Sequence, residues 1–231
     1  MITIAKFRKI KNALFPYMGV VLMILTIVSL YFALVASPID YQQKEFVRIM
    51  YVHVPAAWMS LGVYSIMAVC AFSTMVWGNK ISYLIAVAAA PIGLCFSAIT
   101  LITGSLWGYP VWGTFWVWDA RLTSMLILFI FYLAFIATVN ADQNFLRAEK
   151  PASVVALLGF INVPIIKFSV KFWHTLHQPD SIITYSGPQI DKAMLLPLIL
   201  MFITYMFYFV INLILRIDTI LLELKYDARS Y

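Results

Sequence analysis

Four stretches of this sequence, residues 17–36, 81–103, 122–141 and 193–215, contain no Asp, Glu, Lys, Arg or His. At about 1.5 Å of rise per residue, each is long enough as a helix to cross a hydrocarbon core of roughly 30 Å. A fifth run, 49–77, carries His53 as its sole residue of those five types. A sixth, 151–170, reaches spanning length by including Lys167, which sits within a turn of its end and can snorkel. In lipid every backbone N–H and C=O must be paired within the chain, and these runs are too long for barrel strands. The expected fold is therefore an all-α integral membrane bundle of six transmembrane helices. Composition excludes a water-soluble globular enzyme: 63% of the 231 residues are hydrophobic and 11% charged, against about 25% charged in a soluble domain. The length suits one membrane domain, 1–231, with no separate soluble one. Pro91, Pro164 and Pro197 predict kinks or early turns in helices three, five and six.

Orientation follows from the basic residues. Lys6, Arg8, Lys9 and Lys11 precede the first span, and Lys80, Arg147, Lys150, Arg216, Lys225 and Arg229 fall on the same side. Opposite them stand Lys44, Arg48, Arg121, Lys167, Lys171 and Lys192. The excess predicts cytoplasmic termini. The net charge of +6 is thus a topology signal, and no nucleic-acid partner is expected. No G-x-x-x-x-G-K-[ST] occurs, which excludes P-loop nucleotide hydrolysis by this chain.

With six spans, the connections 37–48, 104–121 and 171–192 share the outer side, and the unusual residues lie on or beside them. The segment 104–121 concentrates Trp107, Trp112, Trp116 and Trp118 with Tyr109 and Phe115, interleaved with Gly104, Gly108 and Gly113. An interfacial aromatic belt is one reading. The other is a platform for a planar apolar ligand such as a porphyrin, because the rings are concentrated and the glycines leave room for close approach. Asp119, with Thr123, is placed to cap the fourth helix.

The three histidines, His53, His174 and His177, all fall on this outer side. Imidazoles from two separate segments beside aromatic rings suit axial ligation of haem iron. A zinc site from His174, His177 and Asp180 is an alternative, as are histidines with purely structural roles. Cys70 and Cys95 lie in mid-helix and read as packing residues.

The run from Trp107-Gly108 through Trp112-Gly113 to Phe115-Trp116-Val117-Trp118-Asp119-Ala120-Arg121-Leu122-Thr123 is similar to the WWD signature of the haem-handling proteins of cytochrome c biogenesis. In size and helix number the chain resembles the CcmC family of the system I pathway. The likeness extends over about residues 38–180, through Asp40-Tyr41-Gln42-Gln43, Tyr51-Val52-His53-Val54-Pro55, Ala90-Pro91-Ile92-Gly93, Asn162-Val163-Pro164 and Thr175-Leu176-His177-Gln178.

That resemblance implies a haem-presenting protein rather than an enzyme. Haem b would be held at the periplasmic face, with His53 and His177 as axial ligands and His174 the less favoured choice. Trp107, Trp112, Phe115, Trp116 and Trp118 would form the aromatic platform, supported by Gly108, Gly113 and Asp119, with Arg48, Arg121 and Lys171 as candidate propionate partners. It also implies delivery to the haem chaperone CcmE, alongside the ABC transporter subunits CcmA and CcmB and the small CcmD, in a bacterial or mitochondrial inner membrane. The alternatives are a haem-transporting permease subunit and a membrane b-type cytochrome. The spans carry few polar groups for a solute path and no histidine near mid-membrane for a transmembrane electron path.

Overall fold

The computed structural model describes residues 4–142, 144–173, 175–177 and 190–227. Its helices are α1 (Ile4–Tyr31), α2 (Met50–Trp77), α3 (Lys80–Trp112), α4 (Ala120–Asn140), α5 (Glu149–Phe160), α6 (Asn162–Phe172) and α7 (Lys192–Asp227). A π turn, Phe32–Ala36, extends α1, and a 3-10 turn, Glu45–Ile49, leads into α2. Helices α5 and α6 together make one span, so among the described residues six helical stretches are long and apolar enough to cross a membrane. Asp40 and Lys44 form an isolated bridge. The protein is an all-α, multi-pass membrane protein.

Helices α2 and α3 pack as an antiparallel pair at the centre; α4, α5 and α7 pack around them, and α1 lies outside against α7. The core is aromatic where helices cross: Tyr64, Met67, Leu128, Tyr132 and Phe135 are fully buried or nearly so. Tyr64 and Tyr132 meet edge to face at 4.9 Å, and the Tyr132 hydroxyl donates to the Ser60 carbonyl at 2.7 Å. An unpaired hydroxyl at this depth would be costly, so that bond fixes α4 against α2.

At the end of the bundle bearing the chain termini, charges tie helices together. Asp218 of α7 accepts from Arg8 and Lys11 of α1, and Glu149 of α5 pairs with Lys80 of α3. The opposite end holds the Trp-rich segment.

The boundaries differ from the sequence expectation in three informative places. Helix α3 runs nine residues past 103, through Gly104 and Gly108, so the connection to α4 is 113–119 rather than 104–121. A helix tolerates isolated glycines at a modest propensity cost; here the stop is Gly113, whose φ of +76° places it in the left-handed region and whose N–H bonds the Tyr109 carbonyl. Helix α1 begins well before residue 17 and α7 ends well after residue 215, because their charged ends continue beyond the apolar window. Of the three prolines, Pro164 coincides with a break. Pro164 has no N–H for the Phe160 carbonyl and its ring crowds that carbonyl, and α5 ends there, with the Ile161 N–H bonding the Leu158 and Gly159 carbonyls in a tightened last turn. Helices α3 and α7 run unbroken through Pro91 and Pro197.

Candidate functional site

The loop before α2 is shaped by Asp40, whose carboxylate accepts the N–H groups of Gln42 and Gln43 at 2.8 and 2.7 Å. This turn presents Gln43 to α3, where its side-chain oxygen accepts the indole N–H of Trp107 at 2.9 Å. Arg48 faces the other way. It donates to the carbonyl of Leu34 at 2.7 Å and pairs with Glu45 at 3.0 Å, closing the π turn at the end of α1.

His53 lies in the first turn of α2 and packs edge to face on Trp107, with ring centroids 5.8 Å apart. Its Nδ1 is 3.0 Å from the hydroxyl oxygen of Thr103. A threonine hydroxyl has one proton, and that of Thr103 points to the Ile99 carbonyl at 2.6 Å. Toward His53 the oxygen therefore accepts, which places the imidazole proton on Nδ1 and leaves the Nε2 lone pair available. One residue along α3, a Cβ at Gly104 would stand 2.9 Å from His53 Cε1, so a side chain there would displace the ring.

His177 arrives from the far side, beyond α6. Its Nδ1 donates to Asp119 Oδ2 at 3.2 Å, while Asp119 Oδ1 accepts the Leu122 N–H at 2.7 Å and so caps α4. Burial, and then the Arg121 guanidinium, hold the His177 imidazole below its ordinary value against the opposing pull of Asp119. The ring is accordingly neutral at pH 7, again with the proton on Nδ1 and a lone pair on Nε2. Trp112 packs on it edge to face at 4.9 Å.

Both histidines line one cavity of about 270 Å³. Its α3 wall is one helical face that includes Thr100, Gly104, Trp107, Gly108 and Val111, each three or four residues from another of them. Trp112, Trp116 and Arg121 complete the part anticipated from sequence. A Cβ on Gly108 would lie 2.9 Å from Trp112, so the glycine lets that indole fold back along α3.

Other predicted positions stand apart. Phe115 stacks on Tyr109 at 4.4 Å and is 54% exposed, and Trp118 is 76% exposed. Neither Arg48 nor Lys171 is on the cavity wall; the Lys171 ammonium lies 5.7 Å over the Phe168 ring. Gly113 and Asp119 act behind the wall, ending α3 and starting α4. His174 and Asp180 lie outside the described residues. Among the described residues no cluster of three His, Cys, Asp or Glu side chains is placed to hold a bare metal ion.

Sequence reasoning missed Gln43, Thr103, Trp58 and Lys167, all beside the cavity or its histidines. Lys167 had a signal, as a lone charge in an apolar run, and Gln43 lay in the Asp40-Tyr41-Gln42-Gln43 run of the resemblance without being read as a site residue.

The donor set fits an iron porphyrin. Two imidazoles each with an Nε2 lone pair, indole rings along an apolar helical face and basic residues in the same lining match a planar macrocycle with iron at its centre and carboxylates at its edge. Trp116 Nε1 is buried without a hydrogen-bond partner among the described residues, a donor in keeping with a polar ligand edge.

A family profile described as Heme exporter protein C matches residues 2–231. The chain is 45% identical over 205 residues to Heme exporter protein C of Bradyrhizobium diazoefficiens, covering 89% of this chain and 78% of the relative. It is 44% identical over 183 residues to Heme exporter protein C of Escherichia coli K12, covering 79% and 74%. A protein of Marchantia polymorpha, described as ccmC-like, mitochondrial and of cytochrome c biosynthesis, is 45% identical over 206 residues, covering 89% and 87%.

Proposed function

The chain belongs to the heme exporter protein C (CcmC) family, and from that premise we propose that it holds haem b as cargo at the periplasmic face and passes it to the haem chaperone CcmE. Family membership gives it a role in haem handling for cytochrome c maturation. In this reading residues 1–231 act as one membrane unit with both termini cytoplasmic. The unit works beside the transporter subunits CcmA and CcmB and with CcmD, in a bacterial or mitochondrial inner membrane. The excess of Lys and Arg at the termini end supports that orientation.

The observation that carries the proposal is the matched pair of histidines. His53 and His177 come from segments 124 residues apart in sequence, and each gives its Nδ1 proton to a fixed acceptor, Thr103 or Asp119. Each therefore offers an Nε2 lone pair to the same aromatic cavity, and second-shell acceptors of this kind orient metal-bound imidazoles. Haem iron accepts two such ligands. Trp107, Trp112 and Trp116 bury the macrocycle faces, while Gly104 and Gly108 keep the α3 backbone close. Arg121 holds a propionate. Phe115 and Trp118, exposed beyond the cavity, extend the aromatic surface toward the chaperone. Ligation holds the cargo without making a covalent bond to it, which suits a protein that must release what it binds.

The test is a visible spectrum. The purified full-length chain in nanodiscs, given haem, should show a six-coordinate low-spin spectrum, and adding haem-free CcmE should move haem to the chaperone. A chain that takes up no haem overturns the proposal.

A further inference from the structure

Helices α2 and α3 meet along a seam with a seven-residue repeat. On α2 it runs His53, Ser60, Met67 and Thr74, and on the antiparallel α3 it runs Gly104, Ser97, Ala90 and Tyr83. The two ends fix which residues face one another. At the outer end a Cβ on Gly104 would stand 2.9 Å from His53 Cε1. At the inner end Thr74 Oγ1 lies 3.3 Å from the Asn79 carbonyl oxygen, and the same oxygen accepts the Tyr83 N–H at 3.2 Å. Between these ends Ser60, Met67, Ala90 and Ser97 are all fully buried. The layers are therefore His53 with Gly104, Ser60 with Ser97, Met67 with Ala90 and Thr74 with Tyr83.

Three of these layers set a larger side chain against a smaller one, as close packing requires. Ser60 and Ser97 are both small, and both of their hydroxyls lack a partner. Within membrane helices a hydroxyl commonly bonds the carbonyl one turn back, as Ser65 and Thr100 do to Leu61 and Phe96 at 2.8 Å each. Ser60 Oγ and Ser97 Oγ are buried with no hydrogen bond among the described residues. Tyr132 brings a third oxygen close by, since it fills the space beside Gly93, one turn from Ser97, and donates to the Ser60 carbonyl. An orphan hydroxyl at this depth costs free energy that a polar guest recovers.

We infer that the Ser60–Ser97 layer binds a single water molecule, which bridges the two hydroxyls and holds α2 against α3 one heptad, roughly 10 Å, beneath the His53–Gly104 layer. Each Oγ can both donate and accept, so the pair supplies the two partners that a buried water needs. Neither stripe carries Asp, Glu, Lys or Arg, which suits a neutral guest. The inference is independent of the haem reading. It concerns how the helices that carry His53 and Thr103 are kept in register.

X-ray hydroxyl-radical footprinting of the full-length chain in nanodiscs tests it, because radicals formed from a buried water oxidise neighbours that bulk solvent does not reach. Met59, buried and next to Ser60, is the reporter, and Met201, similarly buried on α7, is the control. In the parent Met59 should be oxidised severalfold more than Met201, a comparison that needs no variant to fold. The Ser60→Ala, Ser97→Ala double variant should bring Met59 down to the Met201 level, because an apolar layer expels water. Thermal unfolding gives a second readout. Each single alanine variant strands the other hydroxyl and should lower the midpoint by about 2–4 °C, whereas the double variant should lie no lower than either single. Parent oxidation of Met59 at the Met201 level, or oxidation that persists in the double variant, overturns the water site. Coupled midpoints without parent oxidation assign a direct bond between the two hydroxyls and overturn it too. Additive midpoints show that the hydroxyls act separately and remove the bridge.

Discussion

The Asp119 carboxylate accepts the Nδ1 proton of His177 at 3.2 Å through one oxygen and caps α4 through the other, 2.7 Å from the Leu122 N–H. A single side chain thus starts a membrane helix and sets the tautomer of a ring 58 residues away. The cap makes Asp119 rigid, and the rigid carboxylate orients the imidazole.

Separating the two duties calls for two variants. Asp119→Ala loses both the cap, about 1 kcal/mol, and the imidazole acceptor. Asp119→Asn keeps an oxygen for the cap but can turn its NH₂ toward His177. Haem affinity should fall in both by about 10- to 100-fold, the usual effect of losing a second-shell partner, with thermal stability clearly lowered in the Ala variant alone. Parent-like affinity in both would mean that His177 needs no carboxylate.

Thr103 makes a parallel case for His53. Thr103→Val preserves shape and removes the acceptor for Nδ1–H, whereas Thr103→Ser retains it. Haem titration should show the Val variant weakened by about tenfold and the Ser variant close to the parent. Equal binding by all three would contradict the tautomer assignment.

Gly104→Ala probes the approach of α2 to α3. The added Cβ would stand 2.9 Å from His53 Cε1, whereas the same change at Gly62, also within a membrane helix, meets nothing within 4 Å. The low-spin fraction of bound haem should drop in Gly104→Ala and remain in Gly62→Ala, with helical content by circular dichroism unchanged in both. A full low-spin spectrum in Gly104→Ala would mean that the ring moves without losing its ligand role.

What the sequence disclosed and what it hid divide along physical lines. The six spans are legible because bilayer thickness sets a length that uncharged runs such as 122–141 meet by themselves. The end of α3 is not, because Gly104 and Gly108 resemble loop residues until the packing of His53 and Trp112 against them is known. The concentration of tryptophan marks the right region, yet it does not separate Trp116, at the cavity, from Trp118, 76% exposed. Charges near the outer ends are visible as charges, while their direction depends on neighbours. Arg48 turns to the carbonyls ending α1 and Lys171 to Phe168, and Lys167 reaches the cavity because the Asn162 side chain, donating to the Ser124 carbonyl, sets the register of α6 against α4. Thr103 carries no signal of its own, and Gln43 only its place in the run 40–43, since each matters through one partner brought near by folding.

Orientation is open to a direct check. Cysteine placed at Tyr109, 53% exposed at the Trp-rich end, should react with an impermeant thiol reagent added from the periplasmic side, and cysteine at Asn144 should not. Both are made in a Cys70→Ala, Cys95→Ala background, because both native cysteines are free. Labelling at position 144 alone would invert the bundle and place the cavity at the cytoplasmic face.

The central claim, that His53 and His177 ligate one haem from opposite sides, is tested most directly by the visible spectra of three single variants of the full-length chain loaded with haem. His53→Ala and His177→Ala should each convert the six-coordinate low-spin spectrum to a five-coordinate or haem-free one, with added imidazole restoring the low-spin form, while His174→Ala keeps the parent spectrum. A parent spectrum in His177→Ala together with its loss in His174→Ala would contradict the account and move the ligand three residues upstream.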